Sequence, residues 1–304
     1  MTAQNFSARI FFDLSARVKL RVSGADRIRF LNGQLTNDIR KAADRKAIEA
    51  CVLNAKGKMD AHLLAHVDSD SFLLDADAML RLSLQTRLEN YIIADDVQIE
   101  DISERLSIFH VIGGAPAKFS VAARIVETDR FGQLGHDIWS DAADHGHVAA
   151  ELVKEFKLCD EKCAEILRIE QGIPRWGHEL TNEIIPVEAN LEKRCIDYEK
   201  GCYIGQEVIS RMKMSGQRNK QLRGLISLND SPLAAGMKLF STETENKEIG
   251  WVTSAVRSGD REIALAYVKR GFNSIGSKVE ATSAEAGTVP AEIVDLPFIS
   301  RRSI

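Results

Sequence analysis

An α+β body that gives way to a small antiparallel β-barrel or sandwich is the fold class this 304-residue sequence predicts. Helical and strand periodicities are intermixed through the first two-thirds, without a regular βαβ alternation. From about residue 220, short strand candidates follow one another between glycines and polar turns. The 44% hydrophobic and 28% charged content is ordinary for a globular protein, and the length accommodates two or three packed units.

Alternating apolar and basic residues in Val18–Val22 predict an early strand. Ile28, Leu31 and Leu35 then recur at helical spacing, in a helix that should close near Thr36–Asp38. A hairpin follows: Cys51–Leu53, a turn at Asn54–Gly57, and a returning strand. On the return, Met59, Ala61, Leu63, Ala65 and Val67 share one face, and Asp60, His62 and His66 the other. The second set reads as a solvated polar face. His62 and His66 lie about 13 Å apart on an extended strand, too far to hold one ion. Ser71–Asp75 predicts a strand, the series Leu80, Leu84, Leu88 a helix, and Val97–Glu100 another strand. His136, His145 and His147 fall in a stretch read as a polar loop. The barrel strands are expected at 225–228, 237–240, 249–253, 263–268, 278–281 and 291–294. The change of character divides the chain into residues 1–218 and a barrel domain, 219–304.

A net charge of −4 implies no general field for polyanions, so direct nucleic-acid binding is not expected. No apolar run approaches a membrane span, and the first residues lack a basic start with a long apolar stretch. These features predict a cytoplasmic chain whose five cysteines are free thiols. Cys159 and Cys163 could share a helix face, but two thiolates make an incomplete site and Cys163 fits an apolar stripe. No metal site is predicted.

The most informative local pattern is a helix opening at Asp160, a plausible N-cap, and stopping at Gly172 and Pro174. Cys163, Ile166 and Leu167 form its apolar stripe, and Glu170 lands on the same stripe in the last turn. The helix dipole disfavours a carboxylate there, so an ionised Glu170 needs good hydrogen-bond donors. Two partners fit: an arginine of this chain, Arg168 or Arg175, or a ligand edge with two adjacent N–H groups.

A second pattern is KGCYIGQE, residues 200–207. Gly201 and Gly205 free the backbone around Cys202, and the following residues read as a turn entering a short helix. A helix N-terminus and Lys200 would both favour a thiolate at Cys202. The alternative is a glycine-bounded turn carrying an incidental thiol.

This octapeptide resembles the signature of the YgfZ-type folate-binding proteins, relatives of the glycine-cleavage aminomethyltransferase. RIEQG with GHE at 168–179, IPVEANL at 185–191, the N-terminal runs at 22–27 and 30–37, and GWVTS at 250–254 resemble further blocks of that superfamily in the same order. The resemblance implies three subdomains in a ring around a central folate site, ending in an antiparallel β-barrel. It implies tetrahydrofolate or a derivative as cofactor, with Glu170 as pterin anchor and further contacts from Lys200, Tyr203, Gln206 and Glu207. Arg218, Lys220 and Arg223 could meet the folate glutamate tail, or could be ordinary solvated charges.

The hairpin turn departs from the aminomethyltransferase pattern of paired glycines followed by paired aspartates. Here it reads NAKGKMDA, with Lys58 for the second glycine and Asp60 as the remaining acid, one position early. A one-residue slip points a strand side chain to the opposite face. The resemblance therefore implies an accessory factor for iron–sulfur enzymes, including tRNA-modifying ones, rather than a conventional aminomethyltransferase. Cys202 would carry redox or cluster-linked chemistry, with any cluster bound only transiently and with assembly or client proteins as partners. The alternatives are a one-carbon transferase using Asp60, and a folate-independent cluster scaffold.

Overall fold

The computed structural model describes residues 9–298, apart from 44–45, 245–246 and 286. The chain begins with β1 (Ile10–Asp13), β2 (Val18–Ser23), α1 (Arg27–Gln34), β3 (Ile48–Leu53), β4 (Met59–Asp68), β5 (Ser71–Ala76), α2 (Arg81–Glu89) and β6 (Gln98–Asp101). It continues through β7 (Leu106–Ile112), β8 (Ala123–Thr128), β9 (Gly135–Asp141), α3 (His145–Leu152) and β10 (Lys157–Leu158). Three helices follow: α4 (Glu161–Glu170), α5 (Glu192–Cys195) and α6 (Gln206–Ser215). The last strands are β11 (Lys220–Ser227), β12 (Lys238–Ser241), β13 (Glu248–Ser258), β14 (Arg261–Lys269), β15 (Lys278–Ser283) and β16 (Gly287–Val294).

These strands build three sheets. One has the order β3-β4-β5-β2-β6, a second β10-β1-β7-β9-β8, and the third is a closed barrel, β11-β14-β13-β12-β15-β16. The expected α+β body and antiparallel barrel are both present. β1 sits in the second sheet although β2 to β6 form the first, so the chain leaves that sheet and returns to it. Each unit fills its own core: Leu20, Leu31, Leu63 and Leu84 in the first, Phe11, Phe109 and Ile138 in the second, Leu239, Val252 and Val279 in the barrel.

A further core joins the units. It unites Leu53 and Met59 of the hairpin, Ile169 of α4, Tyr203 of the KGCYIGQE run, and Leu222, Leu265 and Tyr267 of the barrel. Three of the patterned stretches in the sequence thus meet on one apolar junction.

The polar face expected on β4 is not solvated. His66 is fully buried, and its ring meets Trp139 of β9 edge-on at 4.8 Å. The two open sheets pack against each other through Leu73, Ile102, Ile108, Val126 and Trp139, which covers the His66 end of that face, while Asp60 and His62 are half-buried. Between the sheets, the buried Arg130 guanidinium bridges Asp75 and Asp137. Nδ1 of His110 lies 2.8 Å from Asp137.

Two other expectations are also corrected. The stretch containing His136, His145 and His147 is not a loop, because it forms β9 and α3. Cys159 and Cys163 are not free: they form a disulfide, with Cα atoms 5.5 Å apart. Asp160 explains this proximity. Its side chain accepts a hydrogen bond from the Cys163 backbone N–H at 2.8 Å, which folds the first turn of α4 back toward Cys159.

Candidate functional site

The KGCYIGQE run is a short loop leading into α6, and three contacts fix it. Lys200 is buried, and its Nζ donates to the carbonyl oxygens of Asn32 (2.8 Å), Leu35 (2.5 Å) and Asn37 (2.9 Å). These carbonyls lie at and beyond the end of α1, where a helix leaves acceptors unsatisfied and favours a cation. Burial pulls the ammonium down to about 8, with Asp38 and Asp197 opposing that shift. The Ile204 N–H reaches the Gly33 carbonyl at 3.2 Å. Gly205 has φ +83°, and a Cβ there would lie 2.7 Å from the Asn54 carbonyl oxygen. In return, a Cβ on Gly57 (φ +72°) would lie 2.8 Å from Cβ of Val208. The hairpin turn and the start of α6 interlock through two glycines.

In this frame Cys202 is exposed and free. Tyr203, next to it, is buried; its hydroxyl lacks a hydrogen-bond partner among the described residues, and burial raises the phenol to about 12. Its ring lies 5.1 Å from Lys200 Nζ. Gln206 opens α6 half-buried, and Glu207 is exposed and pairs with Arg211 at 2.5 Å. The loop therefore presents the thiol outward, while Lys200 and Tyr203 face inward as its anchors.

Glu170 is buried at the end of α4, as its place on the apolar stripe implied. Neither arginine weighed as its partner pairs with it. Arg168 binds Glu165 and, at 2.9 Å, Glu179, while Arg175 lies 3.4 Å from Glu165. Glu170 instead accepts a hydrogen bond from the Ser258 hydroxyl at the end of β13, and burial raises its carboxyl above the usual range. Its backbone carbonyl accepts from the Phe298 N–H at 2.9 Å. A single hydroxyl donor leaves this carboxylate with acceptor capacity that an N–H edge fits.

The three basic residues do not converge. Arg218 pairs with Glu192 at 2.6 Å and lines a cleft of about 320 Å³ together with Lys213, Arg270, Gln221 and Asn273. Lys220 and Arg223 lie three apart on β11 and therefore on opposite faces. Lys220 Nζ lies 3.6 Å from buried Glu188 and within 5.7 Å of the Trp251 and Tyr267 ring centres. Arg223 pairs with Asp295 at 2.9 Å.

Sequence reasoning missed Glu188, whose carboxyl burial pushes up although Lys220 opposes it. It also missed Ser258 and Arg87. Arg87 donates to Asp60 at 2.7 Å, to the Leu53 carbonyl at 2.8 Å and to Gln34 at 3.0 Å. Asp60, the acid that could have served transfer chemistry, is thus held in an internal ion pair. Glu188 was within reach, since it is the one charged residue in the largely apolar IPVEANL run.

Comparison with known proteins agrees with this architecture. Residues 6–129 match the GCVT N-terminal domain, and residues 220–299 match the glycine cleavage T-protein C-terminal barrel domain. The chain is 26% identical to an aminomethyltransferase of Bacillus pumilus, over 95% of this chain and 87% of that relative. It is 34% identical to an aminomethyltransferase of Aquifex aeolicus over a shorter region, 51% of this chain and 43% of the other. The crystal structure of the glycine cleavage system aminomethyltransferase T from Bartonella henselae superposes with a TM-score of 0.85 at 20% identity, covering 97% of this chain and 87% of that one. The chain therefore carries the GCVT N-terminal and C-terminal barrel domains on an aminomethyltransferase-like fold.

Proposed function

We propose that this protein is a tetrahydrofolate-binding accessory factor that supports assembly or repair of iron–sulfur enzymes, with Cys202 as its working thiol. The observation that carries the reading is a contrast between two side chains. Cys202 is exposed on a loop fixed at three points, whereas Asp60 is clamped by Arg87. Transfer of an aminomethyl group needs a free carboxylate aimed at the reacting nitrogen, and Asp60 is already committed to a guanidinium. The YgfZ-type signature around Cys202 supports the same direction.

In this reading Glu170 takes the pterin edge, because its carboxylate has a hydroxyl donor but no cation among the described residues. Arg218, Lys213 and Arg270 surround a cleft suited to the carboxylates of a glutamate tail. Lys200 acts by positioning the Cys202 loop. Bound tetrahydrofolate would supply one-carbon or reducing chemistry. The residues of this chain bind it, orient it and keep the thiol facing outward toward client proteins.

The test is restoration of iron–sulfur enzyme activity in host cells lacking this chain. Wild type and Asp60→Asn are expected to restore it, and Cys202→Ser is not. Restoration by Cys202→Ser together with failure of Asp60→Asn would reverse the reading in favour of a one-carbon transferase.

A further inference from the structure

Behind the loop, four side chains with metal-ligand chemistry come together from three elements. Glu49 and Cys51 are two apart on β3 and share a face. Cys51 stands directly across from His62 on β4, and Cys195 closes the group from the end of α5. Ligand atoms of Glu49, His62 and Cys195 all lie within 4.8 Å of one another. Cys51 borders this trio as the cross-strand neighbour of His62 and, like Cys195, is fully buried. Thr36 ties the frame together: its hydroxyl donates to the Cys195 carbonyl at 2.5 Å and accepts from the Cys51 N–H at 2.9 Å.

The geometry points to a closed binding site for a zinc-type divalent cation formed by Cys51, Cys195, His62 and Glu49. Two sulfurs, one imidazole and one carboxylate are a donor set that zinc accepts in tetrahedral coordination. Such a site spaces its ligand atoms by roughly 3–4 Å, given metal–ligand bonds of about 2.0–2.3 Å, so small side-chain adjustments close it. Binding M²⁺ releases three protons, one from each thiol and one from the imidazolium that faces Glu49, and leaves the neutral imidazole and the carboxylate as the other ligands. The four-ligand complex then carries one negative charge. Arg194 offsets it: its Nε donates to Oε2 of Glu49 at 2.7 Å, while Oε1 faces His62 at 2.7 Å. Both thiols are fully buried, whereas the Glu49 and His62 side chains keep 13% and 18% exposure and supply an entry edge.

The other group of this kind, His66, Asp75 and Asp137, differs in one respect. The Arg130 guanidinium already bridges its two carboxylates, so the cation that group needs is part of the chain. Among the described residues no guanidinium or ammonium bridges the two thiols and His62; Arg194, next to Cys195 in sequence, pairs with the far oxygen of Glu49 and with Asp129.

The experiment is metal analysis of the purified full chain under reducing conditions, followed by Co²⁺ titration of the metal-stripped protein. The expected result is about one equivalent of tightly bound Zn²⁺ and, with Co²⁺, a thiolate-to-cobalt charge-transfer band. The band should persist in Cys202→Ser and vanish in Cys51→Ser/Cys195→Ser. His62→Gln keeps both thiols and serves if the double variant does not fold; its Co²⁺ affinity should fall at least roughly tenfold. A folded, reduced wild type with no bound metal and no charge-transfer band would overturn the proposal. So would a band that depends on Cys202 and survives loss of Cys51 and Cys195. Neither readout involves folate, so the metal site and the folate reading stand or fall separately.

Discussion

Gly205 approaches the Asn54 carbonyl so closely that a Cβ would sit 2.7 Å from the oxygen. This contact couples the hairpin turn, where the chain departs from the aminomethyltransferase pattern, to the loop that carries Cys202. Gly205→Ala must break the contact or force a β-carbon into φ +83°. The expected loss is about 1–3 kcal/mol of stability in denaturant unfolding. The alkylation rate of Cys202 should also change, because the loop shifts. An Ala variant with wild-type unfolding and wild-type thiol reactivity would show that the interlock has no such role.

Lys200 is predicted to be structural. Lys200→Met removes a donor from three carbonyls at the end of α1 and should cost about 1–3 kcal/mol. Tetrahydrofolate affinity measured on the remaining folded protein should stay close to wild type. A large affinity loss with unchanged stability would instead make Lys200 a ligand contact.

How legible these features were in the sequence depended on where each interaction partner lies. The hairpin, α4 with its Asp160 cap, the turn into α6 and the barrel strands follow from local periodicity and turn residues, and all were readable. Glu170 was readable as an out-of-place carboxylate for the same reason. Its partner was not: Ser258 lies 88 positions away on β13, and no local pattern relates them. The burial of His66 was hidden similarly, because Trp139 and the second sheet cover β4 from a distant part of the chain. Lys220 and Arg223 illustrate the opposite failure. Strand alternation alone puts them on opposite faces once the strand is recognised, which already argues against one shared tail site.

The buried His66 makes stability sensitive to acid. Burial lowers it to about 4 from an unfolded value near 6.5, and neither ring nitrogen has a hydrogen-bond partner among the described residues. Between these values the unfolded chain binds more protons than the folded one, so stability falls as pH drops from about 6.5 toward 4. His66→Phe keeps the edge contact with Trp139 and removes the titrating group. Its unfolding free energy should fall less steeply than wild type across that interval. Parallel profiles would place the acid sensitivity elsewhere.

Glu170 predicts the opposite pH trend. Its carboxyl is raised in the folded state, so the folded chain binds more protons than the unfolded one over the affected range. The penalty for ionising it therefore develops as pH rises above the usual glutamate value. Glu170→Gln should gain stability relative to wild type between pH 4 and pH 7, measured by urea unfolding at each pH. A relative loss on going to neutral pH would mean that the folded state favours the ionised carboxylate.

The most direct test of the central claim is calorimetric titration with tetrahydrofolate of wild type, Glu170→Ala and Cys202→Ser. The account predicts saturable binding to wild type, weakened by about 1.5–3 kcal/mol in Glu170→Ala, as for loss of a hydrogen bond to a charged group. Cys202→Ser should bind like wild type, since its thiol faces outward. Absence of binding to the folded wild-type protein would contradict the account and leave Cys202 without a folate beside it.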